Sequence, residues 1–520
     1  MKHSLRPVAI AVLALLACVA CAQEASPYEA ATWPIPLSPL DAPVLATLQK
    51  QNLDLRRPCS DGVFIRRAFV DVIGTLPQPQ EVQAFLDDTR PNKRSILIDS
   101  LLNRTEFVDY QTLKWCDLLR VKSEFPINLW PNAVQAYHQW IRNCIRDGKP
   151  YDQFARELLT SSGSNFRVAP ANFYRAMQGR DAATIATAVA LTFMGVRLDS
   201  WPEAKRAELA AFFSKVAYKK TGEWKEEIVY FDPGTGGPLK VTFPDGTAAT
   251  LPPNQDPREA FAAWLTAPGN RWFAQALANR TWHWLMGRGI IHEPDDVRAD
   301  NPPASPELLA LLSRELVNSK YDMRHLFRLV LNSRTYQQSS IAPGPVPEKA
   351  RFACYTVRLL DAEVLADALC WIGGRGEEYI SPIPEPFTFI PATNRTIALA
   401  DGSITSQFLE TFGRPSRDAG LESERNTTPS DAQRLYLLNS SEVRKQIDGS
   451  PQLRKLFGAT QGNPAEAVRG MYLLILSRYP TGTEQAAGEK YLQTPGLQGR
   501  AGFSDLAWAL INLKEFLCRH

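Results

Sequence analysis

Two short acidic segments hold the side chains best suited to chemistry. One is Glu293-Pro294-Asp295-Asp296, and the other contains Glu422 and Glu424. Paired carboxylates can act as acid and base on a glycoside, or can bind calcium through oxygen. The simpler interpretation, which we favour, is a solvated turn or an ion pair with a nearby arginine. The candidate binding residues are Asp295, Asp296, Arg414, Glu422, Glu424 and Arg425.

Other catalytic signatures are missing from the sequence. It contains no His-Glu-x-x-His helix, no Walker loop and no Gly-x-Ser-x-Gly elbow. His283, between Trp282 and Trp284, and His138, beside an apolar helix stripe, are interpreted as structural histidines. We therefore assign no catalytic residue and no metal ligand from the sequence.

A helix must position the first acidic segment. Its apolar side chains recur at spacings of three and four, which predicts an amphipathic helix buried on one side. Gly287 and Gly289 are expected to end it before the acidic turn. The side chains of this stripe are Trp272, Phe273, Ala276, Leu277, Thr281 and Trp284.

The N-terminus has the layout of a secretory signal peptide. Lys2 and Arg6 precede an apolar run over residues 8–17, which is too short to span a bilayer. The sequence is compatible with two kinds of signal-peptide processing: cleavage before Gln23, or lipid attachment at Cys18. The sequence thus predicts an exported protein of the periplasm or cell envelope, whose contact with a membrane would be a lipid anchor.

The charge and the cysteine content limit which partners and which chemistry the protein can have. Of 58 basic side chains, Lys2 and Arg6 leave with the signal, so 56 remain against 55 acidic ones, a net charge of about +1. Nucleic acid is therefore not an expected partner. Six cysteines remain after residue 22, which allows up to three disulfides or, equally, buried free thiols.

The helical periodicity predicts a mainly α fold with two helical domains. After the signal peptide (1–22) and an extended leader (23–52), we place an N-terminal helical domain at 53–220. A β-hairpin-rich segment at 221–255 would be the only strand structure in an otherwise all-α protein, and a C-terminal helical domain would follow at 256–520.

Two local predictions can be checked directly. In the helix that starts near residue 61, Arg66 and Arg67 are expected to face solvent or to pair with acids. Ser200-Trp201-Pro202-Glu203 has the pattern of a capping box, and we expect its helix to run to Ala217.

Six segments in order resemble one family over most of the chain. They resemble an exported planctomycete-type family that pairs a cytochrome-associated (PSCyt-type) domain of unknown function with a planctomycete PSD-type domain of unknown function. The resemblance implies an uncharacterised protein that occurs beside sulfatase-like proteins and c-type cytochrome modules in polysaccharide-degrading bacteria. The segments are RRAFVDVIGTLPQPQEVQAFL, PREAFAAWLTAPGNRWFAQALANRTWHWLMGRGIIHEPDD, ASPELLALLSRELVNSKYDMRHLFRLVLNSRTYQQSS, LLDAEVLADAL, FLETFGRP and LINLKEFLCRH.

The chain departs from this pattern at two places. Many members carry Cys-x-x-Cys-His after the helix that corresponds to ATIATAVALTFMGVRL, whereas residues 199–205 here read DSWPEAK. Members often carry a cysteine-containing acidic run after FGRP, whereas residues 420–425 here read GLESER. Because Cys-x-x-Cys-His occurs nowhere in the sequence, covalent c-type haem is excluded, and we expect no cofactor.

Three function hypotheses follow. The leading one is a non-catalytic envelope component of a polysaccharide-utilisation system that binds a glycan or a protein, such as an exported sulfatase-like or cytochrome-bearing protein. The alternative is a metal-independent hydrolase that acts on glycans through paired carboxylates. A redox partner of a cytochrome is least favoured, because the sulfur ligands are missing. Convergence of Asp295, Asp296, Glu422, Glu424 and Arg414 on one cleft would favour the hydrolase, whereas scattering of these residues, or pairing of all the acids with arginines, would count against it.

Overall fold

The first half of the chain is built mainly from helices. The computed structural model describes residues 26–234, 236–342, 344, 352–391, 393–495 and 499–520, so the predicted signal peptide and Cys18 lie outside the described residues. Helices α2 and α8 continue as π-helical turns, at Phe69–Ile73 and Ala190–Met194. The helices are α1 Asp41–Gln49, α2 Asp61–Ala68, α3 Pro79–Asp87, α4 Lys93–Leu102, α5 Thr105–Leu118, α6 Pro131–Arg146, α7 Tyr151–Thr160, α8 Ala182–Val189, α9 Glu203–Ala211 and α10 Pro257–Leu265.

The second half of the chain is also mainly helical, and several of its helices are shorter. Helix α20 also continues as a π-helical turn, at Tyr472–Leu476. The helices are α11 Phe273–Met286, α12 Pro306–Asn318, α13 Met323–Leu331, α14 Arg334–Gln337, α15 Ala362–Gly373, α16 Gln407–Thr411, α17 Asp431–Asn439, α18 Ser441–Gly449, α19 Pro451–Ala459, α20 Pro464–Met471, α21 Gly482–Leu492, α22 Arg500–Ile511 and α23 Lys514–Leu517.

Within the described residues, three small antiparallel sheets accompany the helices. Strand β3 (Glu227–Phe231) lies between β1 (Gly163–Ser164) and β2 (Val216–Lys220). Strands β4 (Leu239–Thr242) and β5 (Ala248–Leu251) form a hairpin within the segment 221–255, where hairpins were predicted. Strands β6 (Arg358–Leu359) and β7 (Cys518–Arg519) join the chain's middle to its end. The fold is therefore helix-rich but mixed, and the all-α expectation is wrong.

Helix α11 confirms the predicted helix but is more deeply buried than expected. Gly287 ends it with φ +77°. Its apolar stripe is buried, and so are Asn279 and Arg280, at 0 % exposed each. The prediction of burial on one side is wrong, because α12, α13 and the π-helical turn after α8 all pack around it.

The predicted environment of Arg66 and Arg67 is also wrong. Both side chains are buried, and they donate to backbone carbonyls: Arg66 to Ile475 and Phe516, and Arg67 to Tyr336, Gln338 and His520. A guanidinium has five donors, so it can satisfy several chain ends and turns at once. The two arginines thus tie α2 to segments more than 250 residues away.

The helix that starts at Glu203 is shorter than predicted. It ends at Ala211, and Val216 already belongs to β2, where it pairs with Phe231. Ser200 does not cap the helix, because its hydroxyl donates to the carbonyl of Arg197. Strand pairing with β3, which local periodicity cannot show, determines the conformation after Ala211.

The buried apolar side chains form two clusters. The first unites residues from Leu40 to Tyr355, together with Ala400 and Leu473, so it extends across the predicted segment 221–255. The second is built from α15 onwards, with Val70, Leu76, Tyr110 and Leu113 contributed by the first half. The predicted domain limits therefore do not coincide with the division between the two clusters.

Two further findings concern cysteines and membranes. The six cysteines after residue 22 are free thiols in the structure, and five of them are buried. Among the helices of the described residues, none is both long and apolar enough to cross a membrane.

Candidate functional site

A polar cleft of about 310 Å³ lies where the two halves of the chain meet, and we call it the central cleft. Its volume is at the lower end of the range typical of small-molecule sites. Its rim carries hydroxyl and amide groups, whereas its floor is strongly charged. The lining residues are Lys114, His283, Trp284, Gly287, His292, Glu293, Arg358, Asp361, Glu422, Ser423, Arg425, Asn426, Thr427, Thr428 and Arg519.

Asp361 is the centre of the charged floor. One oxygen, Oδ2, accepts from the Tyr110 hydroxyl at 2.5 Å, from Lys114 Nζ at 2.8 Å and from Arg519 Nη2 at 2.9 Å. Burial alone would raise the pKa of this carboxyl, but Arg519, Lys114 and Arg425 outweigh burial and hold the pKa well below its ordinary value. Asp361 is therefore a permanent anion that holds the cations around it.

A second buried carboxylate supports the floor from below. Asp71, at the π-helical turn after α2, lies 3.3 Å from Arg358 Nη2 and 3.5 Å from Arg519 Nη1. Its other oxygen accepts from the hydroxyls of Tyr336 and Tyr355, at 2.9 and 2.7 Å. These contacts fix Arg358 and Arg519 in place, as a rigid ligand site requires.

Arg425 closes the floor on the side of the second acidic segment. Its guanidinium bridges Glu363 at 2.6 Å and Asp117 at 2.7 Å. Burial lowers the pKa of Arg425, but Glu363 and Asp117 reverse that effect and keep the group charged. With Lys114, Arg358 and Arg519, it brings the cationic side chains of the cleft to four.

Glu422 has the titration behaviour most relevant to function. Its carboxylate accepts from Trp284 Nε1 at 2.8 Å, and no arginine is paired with it in the described part of the chain. Burial raises its pKa, and the nearby negative charge of Asp295 raises it further, to about 7. Glu422 therefore exchanges a proton near neutral pH within the cleft.

The acidic turn after α11 is held by the helix that precedes it. Asn279 bonds both backbone groups of Ile291: its Nδ2 donates to the carbonyl at 2.9 Å, and its Oδ1 accepts from the N–H at 2.9 Å. Gly289 must be glycine here, since a Cβ would lie 2.1 Å from the carbonyl oxygen of Ile291. Arg280 then pairs with Asp295 at 2.7 Å in full burial.

Two imidazoles also line the cleft. The rings of His283 and His292 have centroids 6.4 Å apart. Burial, with the neighbouring positive charge of Arg358, lowers the pKa of His283 to about 3, so this ring is neutral. His283 Nδ1 has no hydrogen-bond partner among the described protein atoms. The peptide bond between His292 and Glu293 is cis, and Glu293 reaches the cleft beside His292.

Two of the six sequence-predicted site residues line the cleft, and a third lies directly behind it. Glu422 and Arg425 are in the lining. Asp295 is only 1 % exposed, and its Oδ2 accepts from the backbone N–H of Glu422 at 2.7 Å. The two acidic segments therefore meet, although Asp295 faces the protein interior.

The other three predicted residues have structural contacts away from the lining. Asp296 pairs with Arg298 at 3.2 Å. Glu424 accepts from four successive backbone N–H groups, residues 418–421. Arg414 is buried and donates to the carbonyls of Ile404 and Asp401.

Sequence reasoning missed most of the charged floor. Asp361 stands in LLDAEVLADAL and Arg519 in LINLKEFLCRH, so the segments that carried the family resemblance were the available signal. Lys114 gave no signal, because it lies in the interior of α5 with apolar neighbours. Only the three-dimensional packing of α5, β6 and β7 brings these groups together.

The two segments that depart from the family pattern flank the same turn. On one side, Gly195 accepts from the N–H of Val297 at 2.8 Å, and Trp201 and Lys205 line a separate pocket of about 430 Å³ with Val297 and Arg298. On the other side, Glu422 contacts Asp295 and faces the central cleft. The two segments thus line different pockets, and the turn contributes Glu293 to the central cleft and Val297 and Arg298 to the other pocket.

Comparison with family models divides the chain in two. The model PSCyt2, a protein of unknown function (DUF1549), matches residues 39–216, and the model PSD1, a protein of unknown function (DUF1553), matches residues 257–492. The chain belongs to the family that pairs these two domains. The predicted pairing is confirmed. Neither a curated protein nor a solved structure matches the chain.

The central cleft of this PSCyt2–PSD1 protein takes residues from both matches. Lys114 lies within the PSCyt2 match, and most of the lining lies within the PSD1 match. Arg519 lies beyond both. Across the residues that the structure describes, no group of three His, Cys, Asp or Glu side chains is arranged to hold a metal ion.

Proposed function

We propose that the protein is a non-catalytic binding component of a polysaccharide-utilisation system, and that its central cleft binds a sugar bearing a carboxylate or sulfate group. The observation that carries the proposal is the lining of the cleft, in which four cationic side chains outnumber the three carboxyl groups and hydroxyl and amide groups lie at the rim. The polysaccharide context is supported by the family resemblance alone.

The chemistry of the lining favours an acidic sugar over a neutral or apolar ligand. Arginines bind carboxylate and sulfate oxygens through paired N–H donors. Ser423, Asn426, Thr427 and Thr428 offer donors and acceptors for ring hydroxyls. Trp284 supplies an aromatic edge whose indole N–H is already bonded to Glu422. An apolar ligand would leave these polar groups without hydrogen-bond partners.

The binding test is calorimetric titration with matched oligosaccharides. We expect uronate-containing or sulfated oligosaccharides to bind, and neutral ones of the same length to bind at least about tenfold more weakly. Ser423→Trp fills the rim at an exposed position and should abolish binding. Ser214→Trp makes the same change at an exposed position outside the lining and should not. Equal affinity for neutral oligosaccharides, or none for any, would refute the proposal.

The same proposal includes a cellular location and a protein partner. The protein is exported to the periplasm or cell envelope, through a signal peptide or a lipid anchor at Cys18, and works beside a sulfatase-like or cytochrome-bearing protein. Affinity capture of the tagged full-length protein from its native envelope tests both. Recovery of such a protein at stoichiometric amount supports the partnership. Recovery of the tagged protein in the cytoplasmic fraction alone contradicts the proposed location.

A second candidate function is hydrolysis of the bound glycan, and one observation favours it. The pKa of Glu422, raised to about 7, suits a carboxyl that donates a proton near neutral pH. Glu293, in the same lining, is the carboxyl available as its partner, since Asp295 faces the interior. No metal takes part in this scheme.

Reducing-end release from the oligosaccharides that bind tests this candidate. If Glu422 is the proton donor, Glu422→Gln should reduce release by about 100-fold or more while ligand still binds. Glu442→Gln, at an exposed helix position outside the cleft, is the matched control and should leave release unchanged. If the wild-type protein binds the oligosaccharides but releases no reducing ends, the hydrolase is ruled out and the non-catalytic binding function stands.

A further inference from the structure

Four of the most exposed large apolar side chains are aromatic and lie in three loops. Phe125 is 77 % exposed, Trp224 74 %, Phe389 71 % and Phe387 58 %. Exposed single leucines are ordinary on soluble proteins, but clustered exposed aromatic rings mark an interaction surface. This feature is independent of the central cleft, whose lining contains none of them.

The three loops meet at one place, which we call the aromatic tip (Phe125, Trp130, Trp224, Lys225, Phe387 and Phe389). The Trp130 ring lies 5.6 Å from the Phe387 ring. Lys225 Nζ is 5.8 Å from the Trp130 ring and 5.6 Å from the Trp224 ring. The lysine thus connects the β2–β3 loop to the loop before α6, and Trp130 connects that loop to residues 380–391.

Hydrogen bonds hold two of these loops in place. The N–H groups of Ser123 and Glu124 donate to Asp401 Oδ1 and Ser403 Oγ, both at 2.9 Å. In the β2–β3 loop, Glu226 accepts from Ser164 at 2.5 Å and from Thr221 at 2.7 Å. The rings are therefore presented on a prepared framework, so little ordering entropy opposes their burial.

We propose that the aromatic tip inserts into the headgroup region of an anionic phospholipid bilayer. Tryptophan and phenylalanine at loop ends occupy this region well, because the ring body is apolar and the indole N–H remains near water. Lys219, Lys220 and Lys225 are exposed beside Trp224 and attract anionic headgroups.

The geometry favours a bilayer over other occupants. The exposed ring area is roughly 600 Å², below the ~800 Å² per partner of a stable protein interface. The Trp130 and Phe387 planes are inclined by 55°, so they do not form the flat platform that a sugar ring needs. Protruding loop ends can enter a soft lipid surface without shape complementarity.

The charges of the tip predict a modest salt dependence. Besides the three lysines, the loops contain the acidic side chains Glu124, Glu223, Glu226 and Glu385, which offset the positive charge of the lysines. We therefore expect ring insertion to supply most of the affinity. Binding should weaken severalfold between low and high salt but should not vanish, because apolar insertion is not screened.

Vesicle flotation of the full-length protein without its signal peptide tests the proposal. The vesicles contain either phosphatidylcholine alone or an equal mixture of phosphatidylcholine and phosphatidylglycerol. We expect binding to the mixed vesicles, and at least about a tenfold loss of binding for the double variant Trp224→Ser/Phe387→Ser. Lys219→Glu/Lys220→Glu should lower binding to mixed vesicles and leave the weaker binding to phosphatidylcholine unchanged.

The matched control is Leu435→Ser/Leu438→Ser, which removes exposed apolar side chains from α17 (58 and 51 % exposed). It should bind vesicles as the wild type does, and all variants should keep the wild-type melting temperature. Absence of wild-type binding, or equal loss in this control, overturns the proposal. So does a wild-type dimer that the Trp224→Ser/Phe387→Ser variant converts to a monomer, since the tip would then be an interface between copies.

Discussion

At the scale of single residues, two carboxyl groups of the central cleft behave in opposite ways. Burial favours a raised pKa for both groups, but three cationic neighbours outweigh it at Asp361 and lower the pKa, whereas at Glu422 the carboxylate of Asp295 adds to it. The difference follows from the charges nearby and not from the residue type. The sequence identified Glu422 as a candidate, but it could not show which charges would surround either group.

Glu422 makes a specific contribution to the pH dependence of stability. Its pKa is raised from 4.5 to about 7 in the folded protein, so the folded state binds the proton more tightly than the unfolded state. The contribution is complete below pH 4.5 and is lost as the pH rises through about 7. We expect Glu422→Gln to be more stable than the wild type at pH 8, by about 1 kcal/mol, since the carboxyl is partly open to the cleft.

Urea unfolding at pH 5 and pH 8 measures this effect. The stability difference between Glu422→Gln and the wild type should shift in favour of the variant at the higher pH. An unchanged difference would show that the Glu422 pKa is ordinary and would remove its proposed role as a proton donor.

Asp361 should be among the residues most important for stability. Asp361→Asn leaves Lys114, Arg425 and Arg519 without the anion that they surround, and we expect a loss of about 3–5 kcal/mol. Asp505→Asn breaks an exposed pair with Arg444 and should cost about 0–1 kcal/mol. Denaturant unfolding of both variants checks this contrast, and equal losses would contradict the role of the buried network.

At the scale of elements, helix α11 and the turn after it decide the shape of the cleft. The spacing of its apolar side chains predicted the helix, and Gly287 and Gly289 predicted its end. The burial on all sides was not predictable, because Asn279 and Arg280 are polar: Asn279 bonds to Ile291 in the turn after the helix, and Arg280 bonds to Leu191, 89 residues away. Similarly, Val216 fits a helical stripe locally, but pairing with Phe231 places it in a strand.

A substitution in the turn after α11 tests directly whether this turn determines the shape of the cleft. In Gly289→Ala the new Cβ would lie 2.1 Å from a backbone oxygen, so the turn must shift. We expect a loss of about 2–4 kcal/mol and weaker ligand binding. Gly458→Ala, inside α19 with nothing within 4 Å of the new Cβ, should instead stabilise by about 0.5–1 kcal/mol. Thermal unfolding and titration of both variants supply the comparison.

At the scale of the whole molecule, the first hydrophobic cluster extends across the boundary predicted from the sequence. Composition marked 221–255 as a change in pattern, and β4 and β5 do lie there. The pattern could not show that helices on both sides share one core. Such sharing is a long-range property, and periodicity within one element contains no information about it.

This shared core predicts that the chain cannot be divided at the segment 221–255. A fragment of residues 256–520 would expose the faces of α11, α12 and α13 that pack on the first half. We expect it to aggregate or to lack a cooperative unfolding transition, as followed by circular dichroism and light scattering. A soluble fragment with a sharp transition would show that the second half folds alone.

The most direct test of the account is hydrogen exchange of the full-length protein with and without a saturating uronate-containing or sulfated oligosaccharide. Ligand binding in the cleft should slow exchange at 283–296 and 420–428, the two acidic segments that meet there. Protection confined to other surfaces, with no change at these two segments, would contradict the central claim that the cleft is the binding site.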